Sequence, residues 1–218
     1  MSLRGNAVKI KNGIFDILFP PRLVCCSCRK EAIIGKDGFC ESCRKGLEPF
    51  IDAPIIGSTD GYIAALYYNS YSEGAVWNLK YNGNKYVAEY LAALISIPPE
   101  WAIDCVVPIP LHKKRYRVRG FNQSELIARH ICSSYDLCLR NDILVRTVNT
   151  FQQAMLSREE RIKNVIGAFA VKGDCRGLNV LLVDDVCTTG GTITECAKAL
   201  KATGCSSVYA ATVCFARS

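Results

Sequence analysis

The segment VLLVDDVCTTGGT, residues 180 to 192, limits the possible fold more than any other stretch of the chain. Its apolar run ends in Asp184 and Asp185, a loop of threonine and glycine follows, and GTITECAKALKATG then reads as a helix closing at Gly204. A short, unbroken apolar run is what a strand covered on both faces of a parallel sheet requires. Open α/β sheets bind their ligands beyond the carboxyl ends of such strands, where the two acids would sit. The start of the following helix offers N–H donors and the positive end of a dipole, a combination suited to phosphate. Acceptors for sugar hydroxyls thus adjoin donors for a phosphate, and a ribose 5-phosphate fits both halves. The loop lacks the Gly-Lys-Ser/Thr ending of a Walker A motif, which sets that class of nucleotide site aside.

The rest of the chain supplies a sheet of the right kind. Strand patterns recur at 61–69, 103–109, 143–146, 167–171, 179–183 and 206–214. Residues 72–96 read as two helices parted by the Asn82-Gly83-Asn84 turn, and further helices are expected at 121–135, 157–164 and 191–203. This alternation predicts an α/β fold, a parallel sheet with helices on both faces. Half of the 218 residues are hydrophobic, enough for a substantial core. No apolar run reaches membrane-spanning length, so membrane insertion is not expected. The first twenty residues read as a short amphipathic helix rather than a secretion signal. An excess of 27 Lys and Arg over 20 Asp and Glu gives a net charge of +7, which favours anionic partners.

Thirteen cysteines invite a disulfide reading. Most lie within helix or strand patterns, where a thiol acts as a small apolar residue, and a reducing, cytoplasmic location is expected. CCSCRKEAIIGKDGFCESC, residues 25–43, differs. Its pairs Cys25/Cys28 and Cys40/Cys43 have the spacing of two knuckles that together complete a tetrahedral zinc site. Four thiolates leave no open coordination position, so a Zn2+ there would be structural. The predicted organisation is an N-terminal helix and zinc module over 1–50, then an α/β domain over 51–218.

With these features in place, residues 180–192 resemble the 5-phosphoribosyl-1-pyrophosphate (PRPP) motif of type I phosphoribosyltransferases. LKYNGNKYVAEYLA (79–92), VVPIPLHKKRYRVRGFNQSELIA (106–128) and TFQQAMLSREERIKNVIGAF (150–169) are similar to successive blocks of the ComF family of competence proteins. That family also carries a four-cysteine zinc knuckle ahead of its phosphoribosyltransferase-like domain, and the resemblance runs from about residue 14 to 216. It implies that Asp184 and Asp185 hold the ribose hydroxyls of PRPP, while Thr188, Thr189, Gly190, Gly191 and Thr192 wrap its 5-phosphate. It places Pro110, Leu111, His112, Lys113, Lys114 and Arg115 in the loop that holds pyrophosphate. Gln152, Arg158 and Arg161 fall in the mobile loop that closes over substrate. Mg2+ would arrive mainly on the oxygens of PRPP, since this hard ion keeps its waters and favours phosphate ligands.

The implied partners are PRPP, single-stranded DNA and proteins of the competence machinery, and the implied role is DNA uptake in natural transformation. Two other functions stay open: a catalytic phosphoribosyltransferase of nucleotide or nucleobase metabolism, and a PRPP-sensing regulator without turnover. On the residues alone, the basic run 113–119 reads as a solvated face and His112 as a loop residue.

Overall fold

Two runs of alternating side chains on one strand explain the layering. In the computed structural model, which describes residues 23–52, 54–148 and 165–217, Val180 and Leu182 face one hydrophobic cluster, while Leu181 and Val183 face another. Successive strand residues point to opposite faces, so an unbroken apolar strand must be covered twice. The strand is β6 (Asn179–Cys187), at the centre of a five-stranded parallel sheet. Its companions are β1 (Gly61–Tyr67), β2 (Cys105–Pro108), β3 (Cys138–Leu139) and β7 (Ser207–Phe215), in the order β1-β7-β6-β2-β3.

One face is covered by α2 (Ser70–Tyr81), α3 (Val87–Ala93) and α5 (Gln123–Tyr135). The other is covered by α6 (Gly191–Ala202), which turns Ile193, Cys196, Ala197 and Leu200 inward. That i, i+3, i+4, i+7 spacing is the apolar stripe of a helix laid on a sheet. Burying its isoleucine and leucine contributes about 1.5–3 kcal/mol each. The parallel sheet with helices on both faces is therefore as expected. Among the described residues, no helix is long and apolar enough to cross a membrane.

Four local expectations change. The strands at β4 (Leu144–Arg146) and β5 (Phe169–Val171) pair with each other, antiparallel, in a separate two-stranded sheet. Their alternation did not reveal which partner each would take. The basic run holds a helix, α4 (Lys113–Arg119), without a single buried residue, so no apolar stripe announced it. A short helix, α1 (Glu41–Lys45), follows the third knuckle cysteine. Strand β6 runs on through Cys187, and the two acids lie inside it, with Asp184 paired in register to Thr212. The expected helices over the first twenty residues and over 157–164 lie outside the described residues.

The cysteine-rich segment sits directly on α2. Ser27 donates its hydroxyl to Tyr71 O at 2.6 Å, and Asn78 donates from Nδ2 to Cys26 O at 3.0 Å. Gly74 makes this approach possible, because a Cβ there would lie 2.8 Å from Ser27 O. Cys25, Cys26, Phe39, Cys40 and Cys43 join the same hydrophobic cluster as Val106 and Leu181 of the sheet.

Candidate functional site: an anion cavity at the sheet switch point

The chain leaves β2 through α5 on one face of the sheet and leaves β6 through α6 on the other. Between the carboxyl ends of these neighbouring strands a crevice must open, the usual ligand position in such sheets. It is a cavity of about 1190 Å³. The loop after β2 is tied to its rim: Ile109 N donates to Val183 O at 2.9 Å, and Asn122 Nδ2 donates to Ile109 O at 3.0 Å. Asn122 also caps α5 by accepting the Ser124 N–H.

Asp184 and Asp185 have different surroundings. Asp184 is half-buried, and its Oδ1 accepts the Ser124 hydroxyl at 2.7 Å and the Asp185 N–H at 2.9 Å. Burial, then the neighbouring Asp185 charge, push Asp184 up to about 7, against the pull of its two hydrogen bonds and of Lys80. Asp185 is 4% exposed and forms an ion pair with Lys80 at the end of α2. Burial draws the Lys80 ammonium downward, but the two carboxylates more than offset it and hold it above its ordinary value.

Beyond the acids, Thr188 and Thr189 lead to Gly190 at the start of α6. Gly190 has φ 73°, a left-handed conformation that suits glycine, and a Cβ there would lie 2.8 Å from Ile56. The N-cap residue, Gly190, has no side chain to cap this helix; Thr189 Oγ1 accepts the Gly191 N–H at 3.4 Å, and the opening turn lines the cavity with its backbone. Facing them are Lys80, Lys114, Arg115, Arg119 and Arg146. Arg146 stands 5.2 Å over the Phe169 ring, and burial, then the Arg115 charge, lower its pKa. Five cations against two carboxylates make the lining electropositive, which favours a polyanion.

Of the expected site residues, Asp184, Asp185, Thr188, Thr189, Gly190, Gly191 and Thr192 all line this cavity, as do Pro110, Leu111, Lys114 and Arg115. His112 and Lys113 do not; His112 instead caps α4, its Nδ1 accepting the Lys114 N–H at 3.2 Å. Gln152, Arg158 and Arg161 lie outside the described residues. Sequence reasoning missed Lys80, Arg119, Ser124 and Arg146 as lining residues. Lys80 and Ser124 fall in the LKYNGN and GFNQSELIA blocks, and Arg119 in the basic run, but nothing local aimed them at the acids. Arg146 had no signal beyond its place at the end of a strand.

A second cluster lies in the knuckle. The sulfurs of Cys25, Cys28, Cys40 and Cys43 all lie within 4.8 Å of one another, with Cys28 and Cys40 at 3.9 Å. Zn–S bonds of about 2.3 Å set tetrahedral edges near 3.8 Å, so the four thiols fit one ion. Burial alone would raise the Cys25 thiol, but N–H groups of Cys40, Cys28 and Ser27 bring it to about 7. Burial pushes Cys43 up to about 12, a cost that a cation bound to its thiolate would relieve.

This sheet, with two acids and a glycine-rich helix start in a cationic crevice, defines a phosphoribosyltransferase-type protein. The phosphoribosyl transferase domain family matches residues 142–218, from β4 to the end of the chain. Competence protein F of Haemophilus influenzae is 27% identical over 209 residues, covering 83% of this chain and 91% of that protein. The DNA utilization protein YhgH of Escherichia coli K12 is 33% identical over 111 residues, 51% of this chain and 49% of its own. Competence protein ComFC of Bacillus subtilis is 28% identical over 141 residues, 61% of this chain and 55% of its own. The chain thus carries a phosphoribosyl transferase domain behind an N-terminal four-cysteine cluster, and over most of its length it is similar to competence proteins.

Proposed function

We propose that this protein binds PRPP in the switch-point cavity and takes part in handling incoming single-stranded DNA during natural transformation, in the cytoplasm. One observation carries the PRPP half: carboxylates, a glycine-rich helix start and five cations converge on one cavity. PRPP offers a matching set of hydroxyls, a 5-phosphate and a pyrophosphate. Asp184 and Asp185 would accept the hydroxyls, and residues 188–192 would hold the 5-phosphate. Lys114 and Arg115, joined by Lys80, Arg119 and Arg146, would meet the pyrophosphate, with Mg2+ carried in by PRPP. The knuckle would bind Zn2+ as a structural ion, and the division at about residue 50 separates its module from the PRPP domain. The DNA half is supported by the kinship with Competence protein F and the DNA utilization protein.

Turnover is a second reading with its own support. The cavity exceeds the roughly 300–1,000 Å³ of ordinary ligand pockets, leaving space for an acceptor beside PRPP. Titration calorimetry with PRPP and Mg2+ tests the first reading: the wild type binds, and Asp184→Ala binds at least ten-fold more weakly. Equal affinity in both proteins would remove the assignment. Pyrophosphate release measured with a panel of bases and DNA decides whether binding leads to transfer.

A further inference from the structure

Helix α2 buries Ala75, Val76, Asn78 and Leu79, which leaves Trp77 and Tyr81 together on its outer side. They are one helical turn apart, with ring centroids at 5.5 Å and planes at 44°. Trp77 remains 44% exposed and Tyr81 64%. Large rings left in water on the turn of a well-packed helix contribute little to folding, and an exposed tryptophan beside charge calls for another use.

Each ring carries a guanidinium. Arg29, next to the knuckle's Cys28, lies 5.1 Å over Trp77, and Arg119, at the end of α4, lies 5.4 Å over Tyr81. Cation, ring, ring and cation thus form a continuous strip from the metal knuckle to the mouth of the cavity, which Tyr81 and Arg119 also line. Neither Trp77 nor Arg29 lines the cavity, so the PRPP site does not account for them.

We propose that this strip is a seat for single-stranded DNA, with bases stacking on Trp77 and Tyr81 and phosphates pairing with Arg29 and Arg119. The proposal rests on the reading that the protein handles single strands, and it gives that reading a surface. Aromatic faces beside positive charge are the chemistry that holds an unpaired strand without regard to sequence. Duplex DNA hides its base faces and offers only phosphates to such a strip. A strand lying here would reach the cavity at Tyr81.

The test uses the full-length, zinc-loaded protein and a labelled twenty-residue oligo-dT, read by fluorescence anisotropy across a salt series. Replacing a stacking ring costs about one to two orders of magnitude in single-strand affinity. Trp77→Ala should therefore bind oligo-dT at least ten-fold more weakly, and Trp77→Phe should recover most of the loss. Arg29→Ala should also weaken binding and flatten the salt dependence by about one unit of slope. Both alanine variants should keep wild-type PRPP affinity.

A second readout does not depend on removing Trp77. The chain has two tryptophans, and Trp101 is stacked on Tyr209 at 4.5 Å, so Trp101→Phe leaves Trp77 as the single indole reporter. Oligo-dT should quench its emission, and a duplex of equal length should not. If the wild type binds oligo-dT while Trp77→Ala binds equally well and no quenching occurs, the strip is wrong and the single-strand reading stands. A wild type that binds no oligo-dT overturns both. Duplex binding as tight as single-strand binding, or a Trp77→Ala loss matched by lost PRPP affinity with no quenching, also overturns the strip.

Discussion

Replacing Lys80 by methionine should destabilise the fold more than removing any exposed lysine, and the reason is Asp185. That side chain is 6% exposed, with one oxygen accepting the Val186 N–H at 2.9 Å and the other facing the Lys80 ammonium. Breaking a buried pair from one side leaves an uncompensated charge and costs about 3–5 kcal/mol. Lys80 keeps 22% of its side chain exposed at a cavity that admits water, so the lower end, about 3 kcal/mol, is expected. Asp185→Asn leaves a lysine that can swing into the cavity, and should cost about 2 kcal/mol. The double variant carries neither charge, so its loss should fall short of the sum by about 2 kcal/mol. Urea unfolding at pH 7.5 gives all four corners of this cycle, and calorimetry with PRPP on the same proteins gives the second readout. The double variant should recover stability without recovering PRPP affinity. A Lys80→Met loss under 0.5 kcal/mol, or strictly additive singles, would refute the reasoning.

Two further outcomes follow from the same structure. Chelation of the knuckle metal, or Cys40→Ser, should lower zinc content and thermal stability, and PRPP affinity should fall with them. The knuckle is hydrogen-bonded to α2 at Asn78, two residues from Lys80, and metal assembly is coupled to folding; full PRPP affinity in zinc-free protein would contradict this coupling. Asp184 is held up at about 7, above the roughly 3.9 of an unfolded aspartate, so the folded chain binds the extra proton between about pH 4 and 7. Its contribution to stability should therefore decline as pH rises through that window and level off above 7. The difference in unfolding free energy between wild type and Asp184→Asn should follow that curve, and a difference that does not vary with pH would be inconsistent with it.

Much of this arrangement was legible because the informative residues are close together in sequence. NVLLVDDVCTTGGTITECAKALKA contains a complete strand, loop and helix, and its apolar spacing fixes which residues face the core at Ile193, Cys196, Ala197 and Leu200. The two Cys-x-x-Cys pairs likewise carry their geometry in their spacing, and their four sulfurs come together as that spacing requires. Local periodicity and ligand spacing act within a few residues, so the sequence by itself determined the sheet class, the acid-glycine loop and the four-thiol cluster.

Tertiary structure decided what meets across distance. Lys80 reaches Asp185 from more than a hundred residues away, and Ser124 reaches Asp184 from sixty. Arg146 joins them because β4 pairs with β5 rather than entering the main sheet. The alternation of β4 suited either partner, since period-two patterning says which face is buried and not which strand lies alongside. The strip of Arg29, Trp77, Tyr81 and Arg119 exists only because Gly74 lets the knuckle close onto α2 and α4 turns its last arginine toward the same helix. Such contacts depend on the packing of whole elements, a property that no local run of residues encodes.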